Sequence, residues 1–247
     1  MAIRTVLWKV LNHEFLHKQQ KVLHNMSIKM FLWDLRRKLH LSPTQNVFRK
    51  IEKRGIPLKH LITLEVFGNT GHYHTKDYAS LVGSLDVWEI DSKMEPELKH
   101  NLPMAKVKIT DSYKEIKNTP KKYNLIAIDN PETVHGTHVE HFDLFPDIFR
   151  VAMDSTILVV NVIPNLPIAS LSNEAHLAAR RSFYNTDHPE RLSFEEMIDT
   201  YKDIIEANGF NLEWYFFQQR TLDARLHYLV AKIERRANAG SPAHSAP

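Results

Sequence analysis

With 247 residues, 43% of them hydrophobic and 25% charged, the chain is long enough for one sizeable α/β core plus an appendage. It has no cysteine, which excludes disulfides, thiolate metal sites and thiol nucleophiles and suits a cytoplasmic protein. The net charge of +3 conceals an asymmetry: residues 1–60 hold 13 Lys and Arg against three acids, and the remainder is net acidic.

The first residues, MAIRTVLWKVLNHE, lack a long apolar stretch with a small-residue cleavage site, so no secretory leader is expected. From Val6 to Leu39 apolar residues recur at helical spacing, and the segment reads as two or three amphipathic, basic helices ending near Leu41-Ser42-Pro43. A further short helix is expected to start at Ser42 and stop at Gly55 and Pro57. Residues 1–57 are therefore taken as a basic helical cap, residues 58–235 as the main domain, and residues 236–247 (ANAGSPAHSAP with its preceding Arg) as a disordered tail. The basic helices suit packing over a site, and their charge also suits nucleic acid or an anionic membrane surface.

After Pro57 the chain alternates. Apolar runs at Leu61–Phe67, Leu85–Ile90, Ala105–Thr110, Tyr123–Ile128 and Thr156–Ile163 read as five strands, separated by helical stretches such as His141–Met153. Continuous apolar runs of this kind are buried on both faces of a parallel sheet. The last of them is broken by Asn161 and is too short to span a bilayer. Ser193–Asn208 begins with a Ser193/Glu196 capping box and closes at Gly209. Two more strands, Phe210–Phe217 and Leu226–Ile233, follow with a short connection that favours an antiparallel pair.

Two of the chain's seven glycines, Gly68 and Gly71, directly follow the first strand in LEVFGNTGHYH. A turn at the carboxyl edge of an α/β sheet is where such folds bind ligands, because glycine admits a ligand to the backbone. Acids, Glu89 and Asp91, follow about 20 residues on, the spacing of a ribose-binding carboxylate. The fingerprint G-x-G-x-x-G of dinucleotide sites is absent.

The order of five alternating strands, a helix ending IIEANGF and a closing strand pair resembles the class I S-adenosylmethionine-dependent methyltransferases over roughly residues 58–235. The resemblance implies an α/β, Rossmann-like fold: a mainly parallel seven-stranded sheet with an antiparallel last strand, here carrying an N-terminal helical appendage. It further implies S-adenosylmethionine as cofactor and a methyl group transferred to a small or medium-sized, anionic acceptor. By resemblance, Glu65, Gly68, Asn69 and Gly71 form the cofactor loop; Asp91, slightly ahead of Glu89, holds the ribose, and Asp111 lies beside the adenine. Phe67 and Asn69 occupy positions where the family places glycine. Asp129 and His135 are the candidate catalytic groups, and Arg180, Arg181 and Tyr184, in the long segment after the fifth strand, the candidate acceptor ligands. His135, His138 and His141 recur at three-residue spacing, but no metal site is expected from them. Two alternatives stay open: aminopropyl transfer like that of the spermidine synthases, and a non-catalytic nucleic-acid- or membrane-binding protein on a degenerate fold of this type.

Overall fold

The computed structural model describes residues 33–39, 41–129, 134–135, 138–220 and 225–237. Expectations for residues 1–32, Asn130–Pro131 and the tail from residue 238 lie outside them. Seven strands form one sheet in the order β3-β2-β1-β4-β7-β9-β8. They are β1 (Ile62–Glu65), β2 (Ser84–Glu89), β3 (Lys106–Ile109), β4 (Tyr123–Ile128), β7 (Ala152–Val162), β8 (Phe210–Gln219) and β9 (His227–Arg235). Two further short strands, β5 (Val134–His135) and β6 (His138–Val139), pair as a separate antiparallel hairpin. β1 to β4 and β7 pair parallel, whereas β9 inserts antiparallel between β7 and β8. The expected Rossmann-like sheet with an antiparallel last strand is what the chain forms.

Side chains alternate across this sheet, as period-two geometry requires. Leu64, Ile126, Ile128, Leu158 and Val160 point into one core, closed by α4 (Ser112–Asn118), α5 (Glu174–Tyr184) and α6 (Phe194–Ala207). Leu125, Ala127, Ile157, Val159 and Val230 point into the other. Helices α1 (Pro43–Glu52), α2 (Thr75–Tyr78) and α3 (Glu95–Asn101) cover that face, with Val47, Phe48 and Ile51 of α1 fully buried. Residues 33–38 are also helical, and Arg37 ties them to α2 through Asp77 (2.5 Å) and to the segment before it through the carbonyls of His72 and Tyr73. α6 carries the expected capping box, Ser193 and Glu196 satisfying each other's backbone amides, and Gly209 closes it at φ 81°.

One element differs from expectation. The helix foreseen over His141–Met153 is a 3₁₀ stretch, Phe145–Arg150, and Ala152 and Met153 already belong to β7. Pro146 in the first turn lacks an amide, and the carbonyl of Val151 is claimed by the amide of Tyr123. Pairing with β4 therefore wins over continuing the helix. Among the described residues no helix is long and apolar enough to cross a membrane.

Candidate functional site

β1 and β4 are neighbours in the sheet, and the order runs outward from them in opposite directions. Their carboxyl ends form the topological switch point, where an open α/β sheet leaves a crevice for a ligand. The loop after β1 enters this crevice. A Cβ on Gly68 would run into the Val87 side chain, and one on Gly71, at φ 66°, would stand 2.5 Å from Leu102 Cδ1. Both glycines therefore let the loop lie tightly on β2 and α3. Asn69 takes a left-handed conformation at φ 46°, and its Oδ1 accepts from the Thr70 amide at 2.6 Å.

Glu89, the last residue of β2, reaches across to this loop. Its Oε2 accepts from the Asn69 amide at 2.6 Å and its Oε1 from the Asp91 amide at 2.8 Å. Asp91 turns the other way and caps the following 3₁₀ turn through the Lys93 amide at 3.0 Å. Asp111, after β3, caps α4 through the Tyr113 amide at 3.0 Å. Tyr113 places its ring beside Phe67 (6.1 Å) and flat on His138 (3.7 Å, interplanar angle 10°).

Beneath the loop, Glu65 is buried, and its Oε2 accepts from the Tyr78 hydroxyl while Oε1 has no hydrogen-bond partner among the described residues. Burial, and then the neighbouring Asp129 charge, push its carboxyl well above the usual range. Asp129, just past β4, receives hydrogen bonds from the Asn161 amide and from Arg220 Nη2 (2.6 Å). Arg220 Nε also donates to the Tyr228 hydroxyl at 3.1 Å, and a chain of contacts continues to Thr44 (3.3 Å) and His74 (3.1 Å). Burial drives the His74 pKa down to about 3, so this imidazole is neutral. The chain links α1 to the switch point.

Arg220, Tyr228 and Thr44 had no signal in the sequence. Arg220 lies in a polar β8–β9 connection, and the other two sit in regular elements. Asn161 Oδ1, on the residue that donates to Asp129, is a second buried acceptor without a partner among the described residues. Unpaired buried acceptors carry a desolvation cost that a ligand's donor group relieves. A cofactor with an ammonium group, such as S-adenosylmethionine, fits that pattern.

The acceptor side corrects two expectations. Arg180 is fully buried: Nη1 lies 3.0 Å from Glu140 Oε1, Nε donates to Pro189 O and Nη2 to Ile163 O, each at 2.7 Å. Tyr184 is buried among Phe142, Phe183 and Tyr201. Neither faces an acceptor, because the alternation of α5 turns both into the core; Arg181 is exposed. The histidine trio is dispersed as well. His138 stacks on Tyr113, His141 is buried against Tyr201, and the side chain of His135 is outside the described residues. Beyond β7 a cleft of about 770 Å³ opens, lined by Pro164, Asn165, Arg191, Leu192, Phe194 and His227 among others.

No protein-family model matches this sequence, and no curated protein matches it. Solved structures do. The magnesium protoporphyrin IX methyltransferase of Synechocystis PCC 6803, with bound SAH, superposes with a TM-score of 0.51 at 12% identity, over 95% of this chain and 100% of that one. The ribosomal protein L11 methylase of Lactobacillus delbrueckii subsp. bulgaricus gives a TM-score of 0.46 at 13% identity, over 79% of each chain. At such identities the likeness is one of fold.

Proposed function

We propose that this chain, which has the Rossmann-like fold of the class I methyltransferases, is an S-adenosylmethionine-dependent methyltransferase acting on a small or medium-sized acceptor. One observation carries the reading: Glu89, at the carboxyl end of β2, is hydrogen-bonded to the amide of Asn69 in the loop after β1. Acid and loop thereby form one continuous surface at the switch point, where the ribose and amino-acid ends of such a cofactor lie close together. The direction of its carboxylate supports Glu89, rather than Asp91, as the ribose ligand in this reading. Asn69, Gly68 and Gly71 present the loop backbone, Asp111 and Tyr113 border the adenine, and Glu65 Oε1 and Asn161 Oδ1, which have no partner among the described residues, receive the ammonium group.

When bound, the cofactor supplies an electrophilic methyl group on a sulfonium. The chain then has to align an acceptor atom with it and exclude water, which is mainly a positioning task. Asp129 is pinned by Asn161 and Arg220. Held in this geometry, its carboxylate orients the acceptor as a hydrogen-bond acceptor. His135, on the hairpin after β4, remains the candidate general base. The basic residues 1–57 are proposed as a cap over the crevice, with an RNA, DNA or anionic-lipid surface as the other partner for their charge.

A second reading, a non-catalytic protein on this fold, draws on the same carboxylate: both oxygens of Glu89 already accept from backbone amides. Calorimetric titration with S-adenosylmethionine and S-adenosylhomocysteine separates the two. Saturable micromolar binding is expected, weakened about tenfold or more in Glu89→Ala and little changed in Asp91→Ala. If the folded protein takes up neither ligand, the methyltransferase reading fails and the second one stands.

A further inference from the structure

The cleft beyond β7 contains a cation, Arg191, that no group among the described residues neutralises. Three apolar residues contribute to its walls: Pro164, buried Leu192, and Phe194, which remains 40% exposed. Phe194 leans on Phe217, with ring centroids 4.4 Å apart, and meets the His227 ring edge-on at 4.8 Å. An aromatic face left open at a cavity wall is a surface on which a flat apolar body stacks.

The charged groups of the lining are not equivalent. Glu196 is consumed by the capping box, its Oε2 accepting from the Ser193 amide at 2.7 Å and hydroxyl at 2.8 Å. Glu190 lies 3.9 Å from His188 Nδ1. His227 has its pKa lowered by burial, which favours the neutral imidazole. Arg191 has no ion-pair or hydrogen-bond partner for its side chain among the described residues, and it is exposed. Its backbone is nevertheless fixed. Arg191 bridges Asn165 antiparallel, flanked by Leu166 N donating to Glu190 O at 2.9 Å and Leu192 N to Pro164 O at 2.8 Å. A planar guanidinium on a backbone held by such a bridge matches a carboxylate in two-point geometry.

Register places this cleft next to the crevice. His227 stands opposite Val162 on β7, and the adjoining pair is Tyr228 with Asn161, whose amide donates to Asp129. We propose that the cleft binds a flat aromatic molecule bearing one carboxylate, with Arg191 on the carboxylate and Phe194 against the ring, as the methyl acceptor. The acceptor role rests on the methyltransferase reading; the binding does not.

Naphthoate and its neutral counterpart naphthamide, titrated into the full chain and followed by nuclear magnetic resonance, test it. Naphthoate should bind with shifts centred on Arg191, Phe194 and His227, and Arg191→Gln should weaken it about tenfold. Naphthamide should bind more weakly and be indifferent to Arg191→Gln, while Phe194→Ala weakens both. Equal affinity for acid and amide, no response to Arg191→Gln, or no binding of naphthoate overturns the proposal. A parallel titration with S-adenosylhomocysteine keeps the readings apart. If it binds and naphthoate does not, the cleft proposal falls alone. If naphthoate binds through Arg191 and S-adenosylhomocysteine does not, the acceptor role falls together with the methyltransferase reading.

Discussion

His141 is sealed from water, with Nε2 2.5 Å from the Tyr201 hydroxyl and Nδ1 without a partner among the described residues. Burial lowers its pKa to about 4, against the opposing pull of Glu140. In an unfolded chain histidine titrates near 6.5, roughly. Between those values the unfolded state holds a proton that the folded state lacks, so stability rises with pH through this window and is lost on acidification. The full difference corresponds to about 3 kcal/mol. Thermal unfolding followed from about pH 7 to about pH 4 should show a falling midpoint, and His141→Phe should flatten the slope. Parallel slopes in the two proteins would remove His141 as the cause. The glycine loop is governed at the same scale: Gly68 and Gly71 are required by Val87 and Leu102, so their presence reports packing as much as ligand access.

At the scale of elements, one buried ion pair fixes the acceptor side. Glu140, in a left-handed turn at φ 49° after β6, accepts from His176 Nε2 and Arg180 Nη1, both at 3.0 Å and both on α5. Burial by itself would raise the Glu140 pKa; the His176 hydrogen bond and the Arg180 charge more than offset it, and the net shift is downward. Arg180 also holds the carbonyls of Ile163, at the end of β7, and Pro189, in the stretch that leads to Arg191. A single guanidinium thus ties α5 to the two segments that wall the cleft. Removing one partner of such a pair leaves a buried charge and several unpaired acceptors, at a cost of about 3–5 kcal/mol. Arg180→Met should lower stability in urea unfolding by that amount and disturb the cleft. A loss of less than about 1 kcal/mol would mean that the pair contributes little.

Across the whole molecule, α1 belongs to the core that it covers. Val47, Phe48 and Ile51 are fully buried, Phe48 stacks on Tyr78 at 4.5 Å, and Thr44 joins the hydrogen-bonded chain to Asp129. Lys50 and Arg54 lie over Phe216 of β8, which binds the helix to the far edge of the sheet as well. Phe48→Ala should therefore cost about 3–5 kcal/mol. A chain starting at residue 58 should fail to give the cooperative urea transition of the full chain, as read by circular dichroism. Cooperative unfolding of that shorter chain would make α1 a dispensable cap.

The sequence by itself determined the layout: apolar runs at regular intervals gave the parallel strands, the Ser193–Glu196 pair the start of α6, and Gly209 its end. Each is local, set by side-chain period or backbone conformation within a few residues. The crevice was legible only as a place, since Glu65, Glu89 and Asp129 could be positioned at strand ends but not aimed. Whether Glu89 or Asp91 faces the loop depends on the Asn69 amide, about 20 positions away in the chain. Arg180 is a core brace because Glu140, 40 residues earlier, meets it, and Asp129 is neutralised by Arg220 from the other end of the sheet. Charge and period show where a side chain stands; only tertiary packing decides which partner it meets, because partners distant in sequence are brought together by burial of the surfaces between them.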